Sequence, residues 1–127
     1  MKAEGLRYNE GKAKWSLVPQ SSLLPMVRVL EFGAKKYDSY NWMKGMSITE
    51  ICESLKRHLD AFMEGEDNDP ESGLPHLGHI QCNALFLSWM MEHRPDLDDR
   101  FNFKQLLEDG NNNKDSNNYG KNVTVSI

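Results

Sequence analysis

The segment from about Pro75 to His93 is apolar on almost every face, and this limits what the chain can fold into. Leu77, Ile80, Ala84, Leu85, Phe86, Leu87, Trp89 and Met90 surround a helix axis instead of forming one stripe. A helix of that kind has to be enclosed by its neighbours, so the segment predicts the central element of a helical bundle. Arg94-Pro95 ends it, because proline cannot continue the helix and restricts the residue before it. One polar stripe interrupts the apolar surface: His76, His79 and Asn83 recur at i, i+3 and i+7. Burying such groups costs free energy unless each finds a partner. The stripe is therefore either bonded within the fold or turned toward a site.

Three further segments complete an all-α reading with about four helices. Ser21 or Ser22 can cap a first helix from Leu23 to about Lys36, with Pro25 tolerated in its first turn. Ser47 and Glu50 form an S-x-x-E capping box before a second helix, from about Ile48 to Glu64, which Gly65 stops. A fourth helix is expected from about Leu97 to Glu108, closed by Gly110. Residues 1–19 read as a polar arm. Residues 1–110 read as one domain, and 111–127 as an asparagine-rich, disordered tail.

The bulk numbers exclude some classes. A net charge of −4 gives no electrostatic footprint for duplex nucleic acid. No stretch approaches the roughly 20 apolar residues that span a membrane, and the polar N-terminus lacks a signal-peptide core. A cytoplasmic protein is expected, with Cys52 and Cys82 as thiols.

The second helix places Glu50, Glu53, Ser54 and Arg57 opposite its apolar stripe, with His58 at the border. Alone, that pattern describes a solvated face. If the second and third helices pack antiparallel through the acidic loop GEDNDPESGLP, these carboxylates meet His76 and His79 at one cleft. Carboxylates and imidazoles together suit Mg²⁺, Mn²⁺ or a related divalent ion, and Asp67, Asp69 and Glu71 can add oxygens. A second cluster is basic and aromatic: Arg7, Lys12, Lys14, Lys35, Lys36, Tyr37, Asn41, Trp42 and Lys44. Lysine and arginine bind phosphate, and an aromatic ring stacks on a base.

Taken in order, R-Y-N-E-G-K (Arg7–Lys12), F-G-A-K-K-Y (Phe32–Tyr37), N-W (Asn41, Trp42), R-H-L (Arg57–Leu59), G-E-D-N-D-P-E-S-G-L-P-H-L-G-H (Gly65–His79) and N-A-L-F-L (Asn83–Leu87) resemble a phage family. That family is the dATP/dGTP diphosphohydrolases, distantly similar to the all-α, MazG-like nucleoside triphosphate pyrophosphohydrolases. The resemblance covers roughly the first three quarters of the chain. It implies a helical bundle that forms a dimer or a dimer of dimers. It also implies hydrolysis between the α and β phosphates of a purine deoxynucleotide, in the host cytoplasm. MazG-like enzymes hold metal with an E-x-x-E helix followed by an E-x-x-D helix. Glu50 and Glu53 match the first, whereas His76-Leu77-Gly78-His79 stands where the second is expected.

These readings combine into one expected site. Glu50, Glu53, His76, His79 and Asp69 hold a divalent ion, Mg²⁺ or Mn²⁺. Glu50, Glu53, His58 and His79 are the candidates for catalysis. Arg7, Lys12, Lys35, Lys36, Tyr37, Asn41, Trp42, Arg57 and Asn83 bind the purine nucleotide. The rival class is a non-catalytic nucleotide sponge or sensor. A third reading is a helical interaction module whose polar stripe only fixes packing.

Overall fold

The computed structural model describes residues 4–112, so 113–127 of the expected tail lie outside the described residues. Its four α-helices are α1 (Leu24–Lys36), α2 (Ile48–Met63), α3 (His76–His93) and α4 (Phe103–Asn112). Short 3₁₀ turns occupy Trp15–Leu17, Gln20–Leu23, Asn41–Lys44 and Pro95–Leu97. No β-strand occurs among the described residues, which leaves the all-α expectation standing. No described helix is long and apolar enough to cross a membrane.

Both α1 and α2 pack on α3, which is the centre of the bundle. The pairing of α2 with α3 is antiparallel and changes character along its length. At one end Ile48 and Ile51 meet Met90 in the buried core, with Trp42, Phe86, Leu87 and Leu97 packed around them. In the middle, Asn83 donates from Nδ2 to Ser54 Oγ at 3.2 Å. At the loop end, His58 meets His76. Burying each aliphatic side chain of the core contributes about 1.5–3 kcal/mol, so the apolar end anchors the pair.

The caps of α2 form as the sequence suggests. Ser47 Oγ accepts from the backbone N–H of Glu50, and Gly65 follows the helix at φ +99°. A second cap arrives from far along the chain: Asp99 accepts from the backbone N–H of Thr49 at 2.9 Å and from its hydroxyl. That long-range contact accounts for one correction. The fourth helix starts at Phe103 instead of Leu97, because Asp99 reaches across to α2 while Asp98 accepts from Arg100. It also runs through Gly110 to Asn112. A smaller correction concerns Ser21 and Ser22, which lie in the 3₁₀ turn; Leu23 precedes α1 with no side-chain cap.

Helices α1 and α3 approach closely at Gly78. A Cβ at that position would lie 2.6 Å from the carbonyl oxygen of Pro25, so only glycine allows this approach. Gly33, in the interior of α1, has nothing within 4 Å of an added Cβ. The two positions should respond with opposite signs. Gly78→Ala should destabilise by about 1–3 kcal/mol through overpacking, and Gly33→Ala should stabilise by about 0.5–1 kcal/mol through helix propensity. Urea denaturation of both variants measures this, and equal effects would contradict the close approach.

Candidate functional site

A cleft of about 600 Å³ opens between α1, the returning segment 37–42 and the α2–α3 pair. Helix α3 supplies its floor through His79, Cys82, Asn83 and Phe86, and α2 adds Ser54. Helix α1 gives one wall, including Phe32 and Lys36, and Tyr37, Tyr40, Asn41 and Trp42 give the other. Its volume lies within the range of small-ligand sites.

The two ends of the cleft differ chemically. At one end Trp42 packs against Phe86 at 4.7 Å between ring centroids and edge-on to Trp89 at 5.2 Å. Trp42 is thus both a core anchor and a cleft wall. At the other end Lys36 pairs with Glu71 at 3.2 Å, and His79 lies on the floor. Seven residues of α3 separate Phe86 from His79, or about 10 Å along the helix axis. The Glu71 partner raises the Lys36 pKa above its ordinary value.

Tyr40 sets the position of the aromatic wall. It is the one described non-glycine residue with positive φ, at +62°, a conformation that costs about 1–3 kcal/mol outside glycine. The turn it makes leads directly into the 3₁₀ turn Asn41–Lys44, which carries Trp42 to Phe86.

Beside the ionic end lies a histidine cluster. Nδ1 of His58 is 2.9 Å from Nδ1 of His76, and Nε2 of His76 is 2.7 Å from Glu66. The His58 ring stacks on His79 at 4.3 Å with 3° between planes. His79 Nε2 is 2.7 Å from Ser72 Oγ and 3.8 Å from Asp69. His76 is only 2% exposed, so both of its ring nitrogens need partners, and both have them. If Glu66 accepts from His76 Nε2, a neutral His76 is bare at Nδ1 and His58 must donate there.

Burial lowers the pKa of His58, and the charge of His79 adds to this. Burial likewise lowers that of His79, against the opposing pull of Asp69. Burial pushes the Asp69 carboxyl up, yet hydrogen bonds from Ser72 outweigh it and hold the group below its ordinary value. The two imidazoles are therefore neutral near pH 7, beside an ionised carboxylate.

The expected site divides in two in the structure. His58, Asp69 and His76 offer ligand atoms within 4.8 Å of one another, and this is the one such group among the described residues. His79 adjoins it through Asp69. Glu50 and Glu53 are exposed on α2 and stand apart from the cluster; eight residues separate Glu50 from His58, or about 12 Å of helix. Glu50 shares its face of α2 with Ser54 and Arg57, at i, i+4 and i+7, and of these three Ser54 lines the cleft. Of the expected nucleotide-binding residues, Lys36, Tyr37, Asn41, Trp42 and Asn83 line the cleft. Arg7, Lys12, Lys35 and Arg57 are exposed outside its lining. Three contributors escaped the sequence reading: Tyr40, Ser72 and Glu66. Glu66 carried no local signal, because its partner His76 lies ten residues on, in α3.

Comparison with known proteins matches residues 2–100 to the family described as dATP/dGTP diphosphohydrolase, N-terminal. A curated protein of Salmonella phage PMBT28, named dATP/dGTP diphosphohydrolase, is 34% identical over 96 residues. The alignment covers 76% of this chain and 33% of the relative, so the chain spans about a third of that protein's length. No solved structure matches. The matched residues include α1, α2, α3 and every cleft and cluster residue, and they end before α4.

The cleft floor makes one local prediction. Burial pushes the Cys82 thiol up to about 12. At pH 8 only about one Cys82 in 10,000 is then a thiolate, the reactive form. Iodoacetamide should label exposed Cys52 and spare Cys82 in the folded chain, with both labelled in urea. Rapid native labelling of Cys82, read by peptide mass spectrometry, would show that the floor is open.

Proposed function

Since the chain belongs to the dATP/dGTP diphosphohydrolase, N-terminal family, we propose that it hydrolyses purine deoxynucleoside triphosphates, dGTP or dATP, to the monophosphate and pyrophosphate. The observation that carries this reading is the two-ended cleft: aromatic at Trp42 and Phe86, ionic at Lys36 and His79. The base stacks in the aromatic end, and the phosphates extend along Ser54 and Asn83 toward Lys36.

In this reading a divalent ion, Mg²⁺ or Mn²⁺, neutralises charge on the triphosphate and lowers the pKa of a bound water. Glu50 and Glu53, the E-x-x-E pair, are the carboxylates proposed to meet that ion on the cleft's α2 rim. Lys36 holds phosphate, a role in which it exchanges Glu71 for the ligand. Arg57, on the same face of α2 as Ser54, offers a second cation to the phosphates. His79 is neutral and lies on the floor, so it can accept a proton from water. Asn83, 8% exposed and held by Ser54, keeps the floor polar and fixed between them.

Incubation with each deoxynucleoside triphosphate plus Mg²⁺ or Mn²⁺, with products separated by chromatography, tests the reading. Purine substrates should give monophosphate and pyrophosphate. Glu50→Ala and His79→Ala should each lower kcat by about 10²–10⁴-fold, and Lys36→Ala should mainly raise KM. Folded Glu50 and His79 variants with full activity would sink the assignment. Tight binding with no product under any metal would replace the enzyme with the nucleotide-binding reading.

Self-association belongs to the same proposal. Leu59 and Met63 are exposed on α2, as are Phe103, Leu106 and Leu107 on α4. The fully buried core, by contrast, centres on only Ile48, Ile51 and Met90. A two-fold dimer is expected to cover part of this surface. Light scattering that shows only monomer at micromolar concentration would contradict it.

A further inference from the structure

The histidine cluster is built like a metal site and is distinct from the carboxylate rim. Two imidazole nitrogens, one from α2 and one from the first turn of α3, lie 2.9 Å apart. An Asp69 oxygen lies within 4.8 Å of both. Two nitrogens bound side by side, at right angles, to one ion at 2.0–2.1 Å stand about 3 Å apart, so the observed spacing already suits a shared ion.

The surroundings support the same use. Glu66 holds Nε2 of His76 from behind at 2.7 Å, and this fixes the tautomer that leaves Nδ1 bare. A carboxylate behind a ligating histidine is the usual outer partner of a metal-bound imidazole. His58 needs only to carry its own proton on Nε2 for its Nδ1 to become a ligand too, with no loss of charge. The stack of His58 on His79 holds the ring plane in place.

We propose that His58 Nδ1, His76 Nδ1 and the Asp69 carboxylate bind one first-row transition ion of the Mn²⁺, Fe²⁺ or Co²⁺ class, with Glu66 as a positioning residue. Two imidazoles and one carboxylate favour such ions over Mg²⁺, which prefers oxygen alone. Three protein ligands leave positions open. Through His79, which lines the cleft, the cluster adjoins the ionic end. This goes beyond the proposed hydrolysis: the site is defined without nucleotide and without Glu50 or Glu53.

Metal binding read directly keeps the two ideas separable. The full chain, stripped with chelator and dialysed, is titrated with Co²⁺ by calorimetry and visible absorption in the absence of nucleotide. One Co²⁺ per chain should bind and produce a ligand-field band, and an excess of Mg²⁺ should not displace it. His58→Ala and Asp69→Asn should abolish the band. Glu66→Gln should weaken binding by about 10–100-fold, and the double variant Glu50→Gln, Glu53→Gln should bind as the parent does. Circular dichroism checks each fold; should His58→Ala lose its helices, Asp69→Asn in the loop decides. The proposal is overturned if the parent takes up no stoichiometric Co²⁺. It is also overturned if folded Asp69→Asn binds like the parent, or if only the Glu50, Glu53 variant loses the ion. None of these results depends on whether the chain turns over nucleotide.

Discussion

The contact between buried His76 and its two partners sets the geometry of everything around the site. A histidine this far from water must satisfy both ring nitrogens, and it does so with Glu66 on one side and His58 on the other. One partner comes from the turn after α2, and the other from α2 itself. The α2–α3 hairpin is therefore locked in register at its polar end, as Ile48, Ile51 and Met90 lock it at the apolar end. The loop between follows: the backbone N–H of His76 donates to Asp67, that of Asp69 to Leu74, and that of Ser72 to the Asp69 carboxylate. Sliding α3 by one turn would leave His76 and Asn83 buried without partners, a cost of about 1–3 kcal/mol for each group.

The helices that rest on local chemistry were legible in the sequence. The Ser47 cap, the Gly65 stop and the Arg94-Pro95 end follow from residues within a few positions of each boundary, and the central place of α3 follows from its all-round apolar surface. The start of α4 was not legible, because Asp99 acts fifty residues away on Thr49. The polar stripe was read as meaningful, and each of its members does have a side-chain partner. The sequence could not say where along α2 each member would land. Periodicity gives the face of a helix and not the level at which a neighbour crosses it. Glu50 and His58 looked like parts of one site because antiparallel packing was expected to bring the α2 carboxylates to the α3 histidines, yet α3 places its histidines at the level of His58.

That separation gives the two halves of the site different physical characters. The cluster is enclosed, hydrogen-bonded and fixed by helix packing, which suits a task that needs set distances. The α2 rim is exposed, so its carboxylates keep their freedom and are hydrated. Asn83 and Ser54 lie between the two and tie the levels together. A ligand lying along the floor would touch the fixed half at one end and, near the middle, the adjustable half.

The wall opposite α1 extends this asymmetry. Segment 37–42 leaves the end of α1 and returns along the cleft to Trp42, with the strained Tyr40 making the turn. At Trp42 the wall is pinned by two aromatic rings, Phe86 and Trp89, that pack against the core. Where it leaves α1, at Lys36, the chain is tied by an exposed ion pair with Glu71, which is screened by water and contributes little to holding the fold. An anionic ligand can therefore draw Lys36 from Glu71 without disturbing the packing that positions Trp42. The same Lys36–Glu71 contact joins the wall to the loop that carries Asp69 and Ser72, so exchange at Lys36 is felt first by that loop. The cleft thus has one aromatic end packed into the core and one ionic end closed by an exposed, easily exchanged ion pair.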